Sequence, residues 1–303
     1  IVLGADFLVK GAVVVARKCR VSSFVIGAVI VGIGTSLPEL VVSTVGAIGG
    51  NSEVAIGNVV GSNIFNVFAI LGLTALFFPI VVSRENMKFE IPFCIAVSVL
   101  LMLLVYNFFV VGEPRLGRWD GAALLLVFTA FMWISLRRGK NSAAAVGESV
   151  EEENKSLWFA AFSILGGLAA LIVSSNFFVD EAVAIARKLG VSDAFISITI
   201  LACGTSLPEL AASVTAAVKK DTDMALGNII GSNIFNATMI LGTASLITPL
   251  TTGKIGLVDY GAMILAAVLP MIFGIRGKIT RFEGLLMLLC YAAYTWYIVT
   301  YVM

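Results

Sequence analysis

The chain has 303 residues, of which 59% are hydrophobic and only 13% charged, and its mean hydropathy is +1.02. Soluble domains carry about a quarter charged residues, so this balance excludes an ordinary soluble protein and points to the lipid bilayer. A net charge of +1 gives no reason to expect nucleic acid as a partner, and the absence of histidine removes imidazole as metal ligand, proton relay or catalytic base.

Apolar stretches of about 20 residues, enough to cross about 30 Å of hydrocarbon, recur along the chain. The first, Ile1 to Ala16, is short beside its later counterpart, and the start of this helix is expected to be missing from the sequence as given. Phe24 to Ile48 and Val54 to Phe78 are interrupted by Gly, Pro and Asn, whereas Phe89 to Val111 and Trp119 to Leu136 are not. The polar run from Arg137 to Ser156, with Glu148 and Glu151 to Glu153, reads as a solvated linker, because it holds too little apolar surface to fold. Beyond it come Leu157 to Val179, the interrupted Phe195 to Val218 and Met224 to Ile247, and the uninterrupted Gly256 to Ile275 and Phe282 to Met303. These stretches predict an all-α integral membrane protein of about ten helices. Its expected parts are residues 1–137, a linker 138–156, and residues 157–303.

Placing the amino terminus outside puts Arg17, Lys18, Arg20, Arg84, Lys88, Arg137, Arg138, Lys140, Lys155, Lys219, Lys220, Arg276, Lys278 and Arg281 on one side. Only Arg115, Arg118, Arg187, Lys188 and Lys254 fall opposite. The positive-inside rule makes the richer side cytoplasmic, so the linker is expected to be cytoplasmic in a multi-pass protein of the cell membrane. Cys19, Cys94, Cys203 and Cys290 lack paired or metal-ligand spacing and read as packing residues. Trp119, Trp133, Trp158, Tyr291, Tyr294 and Trp296 read as headgroup anchors or packing.

The sequence is written twice. Gly34-Thr35-Ser36-Leu37-Pro38-Glu39-Leu40 recurs as Gly204-Thr205-Ser206-Leu207-Pro208-Glu209-Leu210, and Gly57-Asn58-Val59-Val60-Gly61-Ser62-Asn63-Ile64-Phe65-Asn66 recurs as Gly227-Asn228-Ile229-Ile230-Gly231-Ser232-Asn233-Ile234-Phe235-Asn236. Both motifs return after 170 positions without a gap. Five helices per repeat is an odd number, so the second copy enters the membrane from the opposite face and the repeats are inverted.

Pro38 and Pro208 each lack an N–H and clash with the carbonyl four residues back, at Gly34 and Gly204, so both helices are predicted to break. Carbonyls around Gly34, Thr35, Gly204 and Thr205 then lose their helical partners, which a bilayer tolerates only where protein, water or an ion replaces them. Glu39 and Glu209 follow directly, about halfway along apolar stretches. An ionisable residue there costs about 2.5–3.5 kcal/mol and needs compensation. Every ligand on offer is oxygen, which suits a hard cation such as Ca²⁺ and not a soft metal. Asn58, Ser62 and Asn66, like Asn228, Ser232 and Asn236, are four apart and share a helix face, where they either complete an ion's shell or hydrogen-bond the glutamates. Gly57, Gly61, Gly227 and Gly231 form small-xxx-small patterns that favour close helix packing. Asn63 and Asn233 suit interhelical hydrogen bonding as well as ligation. Asp6 has Asn176 as its repeat equivalent, so it is expected to be a one-sided proton-binding or structural group.

The doubled motifs resemble the paired alpha repeats of the Ca²⁺/cation antiporter superfamily, which includes sodium/calcium and proton/calcium exchangers. The resemblance covers nearly the whole chain and implies ten helices in two inverted five-helix repeats. It implies a transported divalent ion held by Glu39, Glu209 and the carbonyls of Thr35 and Thr205, with Ser36, Ser206, Ser62, Ser232, Asn66 and Asn236 as further candidate ligands. Ca²⁺ is the expected substrate, with Mn²⁺ as an alternative, H⁺ or Na⁺ as counter-ion, no cofactor, and a monomer in the bilayer. It also implies alternating access in which the first and sixth helices slide across the rest. Archaeal sodium/calcium exchangers of this family carry aspartate where this chain has Asn236. Two carboxylates are neutralised equally by one Ca²⁺ or two protons, so Ca²⁺/H⁺ exchange is the expectation and Na⁺/Ca²⁺ exchange the alternative. A divalent-cation channel using the same pair is a weaker rival, and an enzyme is not expected, since Ser36 and Ser206 have no evident base.

Overall fold

The computed structural model describes residues 1–107, 113–141, 156–189 and 202–302. Most of the expected linker and the start of the stretch from Phe195 lie outside the described residues. The elements follow the predicted order: α1 (Val2–Cys19), α2 in two pieces (Ser23–Thr35 and Leu37–Ile48), α3 (Ser52–Phe77), α4 (Asn86–Tyr106) and α5 (Arg118–Asn141). The second half gives α6 (Leu157–Lys188), α7 (Ala202–Gly204 and Leu207–Val218), α8 (Thr222–Ile247), α9 (Leu257–Gly274) and α10 (Arg281–Tyr297). Among the described residues, seven helices are long and apolar enough to cross a membrane, or eight with the bent α2 as one span. The sixth helix runs further than the apolar pattern, to Lys188, because the polar turn with Asp180 and Glu181 continues the helix in an exposed setting.

Local chemistry sets the helix starts. Ser156 Oγ accepts from Phe159 N at 3.1 Å to cap α6, and Asp221 Oδ1 accepts from Met224 N at 3.0 Å to cap α8. Thr280 and Glu283 close a capping box at the start of α10. The break in α2 falls where Pro38 predicts it: the two pieces meet at Ser36 and are bent by 47°.

The two most enclosed spans are α3 and α8, which form the centre. Around them the repeats interlock. The end of α8 packs on α5 of the first repeat, with Gly121 and Gly242 in backbone contact, while α10 of the second repeat packs on the end of α3 through Gly72 and Gly284. A Cβ at Gly284 would sit 2.6 Å from the Gly72 carbonyl oxygen, so these crossings require glycine. Two short antiparallel ladders repeat the exchange: β1 (Ile80–Val81) pairs with β4 (Lys278–Ile279), and β2 (Arg115–Leu116) pairs with β3 (Leu250–Thr251).

Of the four glycines of the second motif, Gly227 and Gly231 pack closely as the small-xxx-small reading expects, and Gly57 and Gly61 do not. A Cβ at Gly227 or Gly231 would collide with the backbone of Phe24 or Ala28, so α8 lies directly on the first piece of α2. The positions related by symmetry to Phe24 and Ala28 lie outside the described residues; among those described, a Cβ at Gly57 would meet only the Ile255 side chain, at 3.4 Å, and one at Gly61 nothing within 4 Å. Helices α1 and α6 pack antiparallel, close at Gly4, Gly11 and Gly167. Trp119, Trp133, Trp158 and Trp296 are all exposed, on a surface that a bilayer would cover.

Candidate functional site

Each helix break delivers a carboxylate to the first turn of a new half-helix. Ser36 precedes Leu37–Ile48 and Ser206 precedes Leu207–Val218, with the proline second and the glutamate third in each. The amino end of a helix carries partial positive charge from its unpaired N–H groups, which favours an anion there. Glu39 and Glu209 are both 0% exposed.

The two carboxylates are held reciprocally. Ser36 Oγ donates to Glu209 Oε1 at 2.7 Å, and Ser206 Oγ donates to Glu39 Oε1 at 3.0 Å. Asn58 Nδ2 donates to the Glu39 backbone carbonyl at 3.3 Å and to Ser43 Oγ at 3.0 Å. Asn228 Nδ2 does the same for Glu209 and Ser213, at 3.2 and 2.8 Å. Asn58 and Asn228 therefore fasten the glutamate-bearing turns to the central helices through the backbone. Ser43 and Ser213 were not singled out from sequence, although a serine four residues after each glutamate was a readable signal.

A second cross-link joins α3 to α8. Asn63 Nδ2 and Asn233 Nδ2 each donate to the other's backbone carbonyl at 3.1 Å. Asn66 Nδ2 donates to Asn233 Oδ1 at 3.0 Å, and Asn236 Nδ2 to Asn63 Oδ1 at 3.1 Å. Asn66 and Asn236 each open a π-helical turn, Asn66–Leu71 and Asn236–Ile240, an irregularity that often accompanies functional sites. The Asn66 turn packs against Leu207–Val218 and the Asn236 turn against Leu37–Ile48, so each asparagine is carried beside the glutamate-bearing half-helix of the opposite repeat.

After these bonds are counted, the carboxylate and amide oxygens of these four residues that have no hydrogen-bond partner among the described residues are Glu39 Oε2, Glu209 Oε2, Asn66 Oδ1 and Asn236 Oδ1. Leaving a buried acceptor unmet costs about 1–3 kcal/mol, and more for a charged group. All four are oxygens in two symmetry-related pairs, the ligand type that a hard cation takes. Among the described residues no group of three or more Asp, Glu, Cys or His gathers as a metal cluster, so carboxylate charge at this set comes from the two glutamates alone.

The remaining candidates differ in their surroundings. Thr35 Oγ1 donates within its own helix to Val31 O at 3.0 Å and also approaches Asn228 Oδ1 at 3.3 Å, and the residue in the same relation to Thr205, Leu201, lies outside the described residues. Ser232 Oγ donates to Gly32 O at 3.2 Å, in the packing of α8 on α2, and buried Ser62 Oγ has no partner among the described residues. Asp6 lies in a structural setting: Lys219 Nζ and Lys10 Nζ sit 2.6 and 2.7 Å from its two carboxylate oxygens.

The sodium/calcium exchanger protein family matches residues 1–137 and 159–300. The protein named antiporter CaxA of Alkalimonas amylolytica is 37% identical over 97% of this chain and 93% of its own. Sodium/calcium exchanger MaX1 of Methanosarcina acetivorans is 34% identical over 97% of this chain and 94% of its own. A solved structure of the sodium-calcium exchanger NCX_Mj, soaked with 10 mM Na⁺ and zero Ca²⁺, superposes with a TM-score of 0.84 at 32% identity, covering 99% of this chain and 94% of that one.

Proposed function

This chain belongs to the sodium/calcium exchanger protein family, and we propose that it carries Ca²⁺ across a membrane in exchange for a monovalent cation, with both loads taken in turn at Glu39 and Glu209. The observation that carries this reading is the set of four unpartnered buried oxygens, two carboxylate and two amide, at the junction of the inverted repeats. A Ca²⁺ ion takes six to eight oxygens, and carbonyls of Thr35 and Thr205 with the hydroxyls of Ser36 and Ser206 are the candidates for the rest of its shell. An empty pair of buried carboxylates would be far costlier to carry through a low-dielectric path than a neutralised one, which favours obligatory exchange over a channel.

Na⁺ is the counter-ion favoured by the names of the relatives, NCX_Mj and MaX1. Proton exchange is the second reading, favoured by the count of two carboxylates without a third: two protons neutralise the pair as one Ca²⁺ does, and an asparagine at position 236 weakens a site for several Na⁺ ions. Purified protein in liposomes, assayed for Ca²⁺ uptake under a Na⁺ gradient and separately under a pH gradient, distinguishes the two. Uptake driven by either gradient alone names the counter-ion. Equal Ca²⁺ entry with no gradient of either would overturn the exchanger reading in favour of a channel.

The excess of Lys and Arg on one side supports a cytoplasmic central linker and an amino terminus outside. Labelling of single cysteines with an impermeant reagent on intact cells tests this: a cysteine in the Lys254 loop should react, and one in the linker should not.

A further inference from the structure

An asparagine amide offers an acceptor on one side and donors on the other. A cation requires the oxygen, and a reversed amide would point its NH₂ group at the ion. Asn66 and Asn236 therefore need something to fix their orientation, and two residues not counted as ligands supply it.

The chain of bonds begins at backbone carbonyls, which can only accept. Asn233 Nδ2 donates to Asn63 O at 3.1 Å, which directs the Asn233 oxygen elsewhere. That oxygen accepts from Asn66 Nδ2 at 3.0 Å, so Asn66 spends its NH₂ group on α8 and turns Oδ1 away, where it is buried and unpartnered. The mirror path runs from Asn233 O through Asn63 to Asn236, at 3.1 Å for both bonds, and leaves Asn236 Oδ1 in the same condition. Reversing Asn63 or Asn233 would set amide oxygen against carbonyl oxygen and break both of its bonds. All four side chains are buried, so water does not stand in for a lost partner.

We propose that Asn63 and Asn233 are positioning residues that impose an oxygen-inward polarity on Asn66 and Asn236, and so set the affinity for the divalent cation without contacting it. This rests on the reading of Asn66 and Asn236 as ligands of the transported ion.

The test is Ca²⁺ uptake into proteoliposomes over a concentration series, which separates KM from kcat. Asn233→Leu keeps the branched heavy-atom shape and removes the relay. It should raise the Ca²⁺ KM about tenfold, the scale of one lost buried hydrogen bond, with kcat within about twofold. Adding Asn66→Asp should recover most of that loss, because a carboxylate presents oxygen in either orientation; a merely structural defect would not be repaired. Asn63→Leu with Asn236→Asp is the independent symmetric pair, should the first variant fail to fold. An unchanged KM in the relay variants, a fall in kcat alone, or no recovery by aspartate overturns the proposal. If Asn66→Ala itself leaves KM unchanged, the ligand reading fails. If Asn66→Ala raises KM and Asn233→Leu does not, only the relay fails.

Discussion

Ser36 of the first repeat donates to Glu209 of the second at 2.7 Å, and Ser206 answers with Glu39 at 3.0 Å. Each repeat thus holds the carboxylate of the other, and neither half contains a complete site. Removing one hydroxyl takes a donor from a buried carboxylate, a loss of about 1.5–3 kcal/mol. Ser36→Ala and Ser206→Ala should each raise the Ca²⁺ KM at least about tenfold in radiolabelled Ca²⁺ uptake, and Ser→Thr at either position should retain more affinity than Ser→Ala.

The bend of 47° in α2 places Glu39 at a half-helix start. Pro38→Ala restores an N–H and removes the ring clash, so α2 should straighten and the glutamate turn should move. Exchange should fall more than about tenfold, with the protein still folded by circular dichroism. Normal exchange in Pro38→Ala and Pro208→Ala would show that the breaks do not depend on proline.

Asp6 and Lys219 join α1 to the end of α7. Their repeat equivalents are Asn176 and Gly49, which cannot form an ion pair, and the packing of α1 along Leu207–Val218 has no comparable counterpart between α6 and Leu37–Ile48. If α1 and α6 move during transport, a tether here should stop it. Asp6→Cys with Lys219→Cys, in a background lacking the four native cysteines, should lose exchange on oxidation and regain it on reduction. Continued transport by the cross-linked protein would locate the moving parts elsewhere.

Gly227 lies against the backbone of Phe24 with no room for a side chain. Gly227→Ala should destabilise by about 1–3 kcal/mol, the usual cost of overpacking, and lower the melting temperature in detergent. The same change at Gly166, where an added Cβ meets nothing within 4 Å, should have little effect.

Much of this architecture is legible in the sequence because it is written twice. The spacing of 170 aligns Glu39 with Glu209 and Asn66 with Asn236, and Pro38 marks the break that the structure contains. Local chemistry sufficed for these features. The reciprocal serine–glutamate bonds, the amide relay through Asn63 and Asn233, and the pairing of Asp6 with Lys219 all join residues more than 160 positions apart, so no local periodicity announces them. The sharing of Asn58 between Glu39 O and Ser43 Oγ was also hidden, since a helix-face pattern shows which side chains are adjacent but not which atoms they meet.

The account stands most directly on the two glutamates as shared ligands of one transported ion. Glu39→Gln and Glu209→Gln keep size and hydrogen-bonding capacity and remove one charge each. In proteoliposomes with the favoured counter-ion gradient, each variant should abolish Ca²⁺ uptake while remaining folded and inserted. Uptake at the wild-type rate by either variant would contradict the shared site.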